Sequence, residues 1–68
     1  MLISLRIKEL RIDKKLSQTQ LAAKVGCSPS MISRWETADC EPTATAILKL
    51  SEALECSTDY LLGKTDIY

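Results

Sequence analysis

Residues 17–37, SQTQLAAKVGCSPSMISRWET, decide how the rest of the chain reads. Ser17 stands where a helix cap belongs, and Gln20 follows three residues later, at the position a capping box reserves for Glu or Gln. Leu21, Ala22 and Val25 repeat at helical spacing and supply one apolar face. Gly26 most readily takes the left-handed conformation that stops a helix. Ser28 and Pro29 then start another, as cap and first-turn proline. In that second helix Ile32 and Trp35 point inward, which leaves Pro29, Ser30, Ser33 and Arg34 on or near the open side.

Two short helices joined by so sharp a turn make a helix-turn-helix, a shape whose second helix can enter the major groove of DNA. Upstream, Ile3, Ile7, Leu10 and Lys14 trace one stripe of a first helix with Arg11 beside it, starting near Ser4 or earlier and ending around Lys15. Leu16 is expected to turn inward as the anchor of the next link. Downstream, TADCEP at 37–42 reads as a loop, closed by its proline. Thr43 caps a fourth helix that runs to about Leu54, with Ile47, Leu50 and Ala53 or Leu54 facing inward. Ser57 caps a short fifth helix ending near Gly63, where Leu61 and Leu62 close the core, and the tail 64–68 is expected to fray. The expected helices are about 2–15, 18–25, 29–37, 44–55 and 58–63, around a core of Ile7, Leu10, Leu21, Ala22, Val25, Ile32, Trp35, Ile47, Leu50, Leu54 and Leu61. Short links and the lack of any strand-like alternation predict one all-α domain, a compact five-helix bundle over residues 1–68.

Composition narrows the function classes. The 68 residues are 46% hydrophobic and 26% charged, inside the globular range and outside the disordered one. Apolar runs of three or four residues fall far short of the ~20 that a membrane span needs, and MLISLRIK lacks a signal-peptide core, so a cytoplasmic protein with no membrane partner is expected. Cys27, Cys40 and Cys56 are odd in number and form no CxxC pair, and His is absent, so no metal site or cofactor is expected. The thiols read as small apolar residues in a reducing compartment. The missing His also removes the usual general base, which argues against an enzyme.

Net charge is zero, yet it is unevenly spread. Residues 1–38 carry seven basic and three acidic side chains, net +4, and residues 39–68 carry two basic and six acidic, net −4. A chain so divided can offer a basic face to DNA and turn its acidic half away; the alternative is a chance split scattered over the surface.

The stretches IKELR, LSQTQLAAKVGCSPSMISRWE, EP and LSEALECSTDYLLG, across roughly residues 5 to 63, resemble the lambda-repressor-like, Cro-type helix-turn-helix family of bacterial and phage transcription regulators. The SEALECSTDYLL ending looks especially like the DNA-binding domains of temperate-phage repressors. The resemblance implies a base-reading surface at Pro29, Ser30, Ser33 and Arg34. Arg34 could bond guanine O6 and N7 together, or instead rest on a phosphate or in solvent. It implies phosphate contacts at Gln18, Thr19, Ser28, Thr37 and Thr43, a structural salt bridge between Arg11 and Glu36, and dimer contacts at Thr58 and Tyr60, the latter equally readable as core packing. Met31 reads as packing between the helices or as touching the DNA backbone. Two features depart from the family pattern. Thr37 and Ala38 stand where relatives often have Asn-Gly, so a left-handed turn must be made there by a less willing residue, and Asp39 and Glu41 stand where relatives often have Lys or Arg, so two carboxylates are expected to weaken the hold on phosphate.

The function implied is a sequence-specific regulator of transcription, a repressor acting as a homodimer on a pseudo-palindromic double-stranded operator, without a small-molecule ligand bound to this chain. The alternative is a protein-interaction module on the same fold, antitoxin-like or a regulator subunit, supported by zero net charge and the acidic loop.

Overall fold

The computed structural model describes residues 1–67, and Tyr68, the last residue of the expected fraying tail, lies outside them. Five helices follow one another, α1 (Leu2–Asp13), α2 (Gln18–Val25), α3 (Pro29–Glu36), α4 (Ala44–Leu54) and α5 (Thr58–Leu62), with no strand among the described residues. Helix α3 lies against α1 and α2, α4 against α1 and α2, and α5 closes on α1 and α4.

Each of the four later helices starts on a hydroxyl cap, because Ser17, Ser28, Thr43 and Ser57 accept a backbone N–H from Gln20, Met31, Ala46 and Tyr60. At α2 the box is complete, with the Ser17 amide donating back to Gln20 Oε1 at 2.8 Å. Helix α1 has Met1 at its cap position and no side-chain cap; Ser4, a candidate start, lies within it and is buried, its hydroxyl without a partner among the described residues.

The helices end alike. A left-handed residue turns the chain, at Lys15, Gly26, Ala38, Glu55 and Gly63, and the following amide bonds a carbonyl five residues back. Only two of those five are glycines, and where none marks the turn the helices stop short of the expected bounds: α1 at Asp13, α3 at Glu36 and α4 at Leu54, while α5 ends at Leu62, one residue before Gly63.

Ile7, Leu21, Ile32, Leu50, Leu54 and Leu61 are fully enclosed, and Leu10, Ala22, Val25 and Trp35 complete the expected core except for Ile47, which is only half-buried. Tyr60 joins the core at 9% exposed, whereas Leu62, expected inside, is 59% exposed. Leu16 and all three free thiols are half-buried against this core. Truncating one fully enclosed side chain to Ala typically costs about 2–5 kcal/mol, so the core leaves little freedom at these positions.

The tail after α5 makes contacts that the sequence did not suggest. Arg6 lies over the Tyr60 ring at 4.1 Å, donates to the Tyr60 and Thr65 carbonyls, and pairs with Asp66 at 2.6 Å, so α1 straps down the segment after α5.

Candidate nucleic-acid interface

Helix α3 has two unlike sides. Ile32 and Trp35 sink into the core, and Met31 is half-buried beside them. Pro29, Ser30 and Arg34 are exposed, with Ser33 half-buried next to them. Because Ser28 caps the helix and Pro29 occupies its first turn, the backbone of this outward face is set locally before any partner arrives.

Its orientation is set by three other side chains. Arg11 of α1 donates from Nε to Glu36 Oε2 at 2.6 Å and from Nη2 to Oε1 at 3.1 Å, a two-pronged pair with side chains only 13% and 3% exposed. Arg11 Nη1 also reaches the Leu16 carbonyl at 2.9 Å, in the link between α1 and α2. Gln18, the first residue of α2, donates from Nε2 to Glu36 Oε1 at 3.2 Å. Glu36 thus ties the end of α3 to α1 and α2 at once, and its charge is matched where water is scarce. Gln18, on the first turn of α2 with Thr19 beside it in sequence, is thereby brought to the end of α3, where the Thr37 hydroxyl donates to the Arg34 carbonyl at 3.3 Å. Thr43, the cap of α4, lines an open groove together with Cys27, Met31 and Trp35.

Arg34 is not loose in solvent. Its Nε donates to Asp39 Oδ2 at 3.0 Å, with the two side chains 56% and 62% exposed. The sequence reading treated Asp39 only as a charge that repels phosphate. The left-handed turn expected at Thr37–Ala38 falls on Ala38 and brings residue 39 back over residue 34, a closeness that the charge pattern alone does not announce. Arg6 was likewise missed, since nothing local in the sequence announces a contact with Thr65 and Asp66.

Thr58 and Tyr60 lie on α5, away from α3 and against α1 and α4. Tyr60 is buried beneath Arg6, so the apolar surface α5 leaves outward is that of Leu62. The Cys27 and Cys56 thiols are pushed above their ordinary value by burial, an effect that Lys49 and Lys14 respectively oppose. No group of three or more His, Cys, Asp or Glu side chains among the described residues could hold a metal ion, and no helix there is long and apolar enough to cross a membrane.

A capped pair of short helices, the second locked to the first and to α1 by one glutamate and polar on its outer side, defines a helix-turn-helix domain of the repressor-like five-helix type. Comparison with known proteins agrees: the helix-turn-helix family description matches residues 7–61, and the chain belongs to that family. The family is one of DNA-binding transcriptional regulators and not a class of enzymes. Repressor protein C2 of Salmonella phage P22 is 46% identical over 57 residues, which is 84% of this chain and 26% of the repressor. The solution structure of the DNA-binding domain of that repressor, residues 1–76, superposes with a TM-score of 0.90 at 43% identity, covering 100% of this chain and 88% of that one. The crystal structure of the P22 c2 repressor in complex with synthetic operator 9T gives a TM-score of 0.86 at 43% identity, over 90% of this chain and 92% of that one. The chain spans between 26% and 54% of the length of the curated relatives it matches.

Proposed function

We propose that this chain binds double-stranded DNA sequence-specifically and represses transcription in the cytoplasm, as a homodimer on a pseudo-palindromic operator. Each subunit lays residues 29–36 in the major groove, with half-site centres about 34 Å apart. The observation that carries this reading is the lock on α3: Glu36 holds the helix to Arg11 and Gln18 while Pro29, Ser30 and Arg34 stand outward. The likeness to a repressor solved on an operator supports it.

In this reading Pro29, Ser30, Ser33 and Arg34 meet base edges, and Arg34 has the most to say, since a guanidinium bonds guanine O6 and N7 together. Pro29 offers apolar contact to a thymine methyl. Gln18, Thr19, Ser28, Thr37 and Thr43 bond phosphates, joined by the amides at the starts of α2 and α4. Thr58 and the exposed Leu62 belong to the dimer contact, and Tyr60 supports them from within. No cofactor, ligand or catalytic step is assigned to the chain.

Selection of bound duplexes from a random library tests the reading, because symmetry, spacing and bases emerge together. Binding of a recovered duplex should weaken steeply as salt rises, as phosphate contacts release counterions. Recovery of no common sequence, with no binding to duplex at low salt, would sink it. The protein-interaction alternative draws on zero net charge and the acidic loop, and the second of these loses weight because Asp39 is paired with Arg34.

A further inference from the structure

We propose that Asp39 is a positioning residue for base recognition: its carboxylate holds the Arg34 guanidinium by one edge, so that the other edge is offered to a guanine. This rests on the reading of Arg34 as a base contact. The guanidinium has five N–H donors, and Asp39 takes the one on Nε at 3.0 Å. The two terminal nitrogens carry no hydrogen bond among the described residues, and guanine O6 and N7 need two donors side by side.

The backbone that carries the carboxylate is itself fixed. The Asp39 amide donates to the Arg34 carbonyl at 2.9 Å, the Ala38 amide to the Trp35 carbonyl at 3.3 Å, and Ala38 supplies the left-handed turn at φ 63°. Residues 34 and 39 are therefore the two positions that such a helix end brings face to face, where an apolar contact is usual. At the ends of α1, α2 and α4 the second of these positions is filled by half-buried Leu16, Cys27 and Cys56. An ion pair does not follow from the turn alone: the same spacing sets Asp59 against Lys64 after α5, and among the described residues no ion pair joins them.

Two consequences follow for recognition. An arginine already held in one rotamer loses less freedom on meeting its base, a saving equivalent to about two- to tenfold in binding. A tethered guanidinium is also less free to swing onto a phosphate, and the carboxylate repels that phosphate, so non-cognate complexes gain less than the cognate one. Asp39 would then raise discrimination while lowering affinity for DNA in general.

The test compares a selected duplex with its set of single-base-pair substitutions by fluorescence anisotropy, for the full chain and for Arg34→Ala, Asp39→Ala, Asp39→Asn and the double Arg34→Ala/Asp39→Ala. Urea midpoints are measured in parallel to show that each variant is folded. Arg34→Ala should lose about tenfold of discrimination at one base pair in each half-site. Asp39→Ala should lose about two- to tenfold at that same base pair and no other. The double variant should match Arg34→Ala, and Asp39→Asn, which keeps an acceptor oxygen, should retain part of the preference. The proposal is overturned if Asp39→Ala tightens all duplexes equally, leaves discrimination unchanged, or loses it at a different base pair, as it would if the carboxylate read a cytosine itself. Should Arg34→Ala weaken every duplex alike, Arg34 is a phosphate contact, and that reading fails together with this one.

Discussion

Arg11 and Arg34 both meet a carboxylate, and the two pairs differ in almost every other respect. Arg11 commits an N–H from each of its three nitrogens to Glu36 and the Leu16 carbonyl, out of reach of most water. Arg34 gives Asp39 a single N–H in the open. Burial converts the first pair into framework, since removing either charge strands the other without solvent. Exposure keeps the second cheap to break and leaves its guanidinium available. One chemistry thus serves to hold α3 in place at its inner side and to aim a side chain at its outer side.

The most damaging way to break this contrast is Glu36→Ala. It should cost about 3 kcal/mol or more by stranding Arg11, enough to lower the melting temperature of so small a domain by about 10 °C or more, read by circular dichroism. Replacing Arg11 and Glu36 together by Met should recover part of that loss, because no charge is then left buried. Asp39→Ala should change the unfolding free energy read from urea curves by no more than about 0.5 kcal/mol, as befits an exposed pair. A drop as large as that of Glu36→Ala would erase the distinction between the two.

The turn that joins Arg34 to Asp39 offers an intermediate effect of opposite sign. Ala38 sits at φ 63°, where a side chain costs about 1–2 kcal/mol relative to glycine. Ala38→Gly should stabilise the fold by about 1 kcal/mol after the added freedom of the unfolded chain is subtracted, with base preference unchanged. A loss of preference there would mean that the alanine methyl, and not the backbone, keeps Asp39 in register.

The smallest effect lies outside both pairs. Burial raises the Cys27 and Cys56 thiols, so the folded chain holds these protons more tightly than the unfolded one. Stability should therefore decline as pH climbs from the ordinary thiol value near 9 through the raised values. Urea midpoints at pH 8 and 10 should show it, with equal slopes for the wild type and Asp39→Ala, and Cys27→Ser/Cys56→Ser should flatten it.

What could be read in advance follows the range of each interaction. Helix starts were legible because Ser17, Ser28, Thr43 and Ser57 act within three residues. Helix ends were less so, since Lys15, Ala38 and Glu55 take a left-handed conformation their side chains disfavour and only the finished packing imposes. Exchanging Ile47 for Tyr60 in the core, and leaving Leu62 outside, depends on how α5 docks, which periodicity over five residues cannot fix. The site residues of α3 came from spacing and resemblance; the carboxylate that aims Arg34 required the turn.

That turn also separates what may vary from what must not. At residue 39 the amide bonds the Arg34 carbonyl, and the exposed side chain meets Arg34 outside the core. Exchanging residues 34 and 39 as a couple therefore changes the chemical question put to DNA without disturbing the fold that asks it, making the close of α3 the natural place to retarget this domain by design.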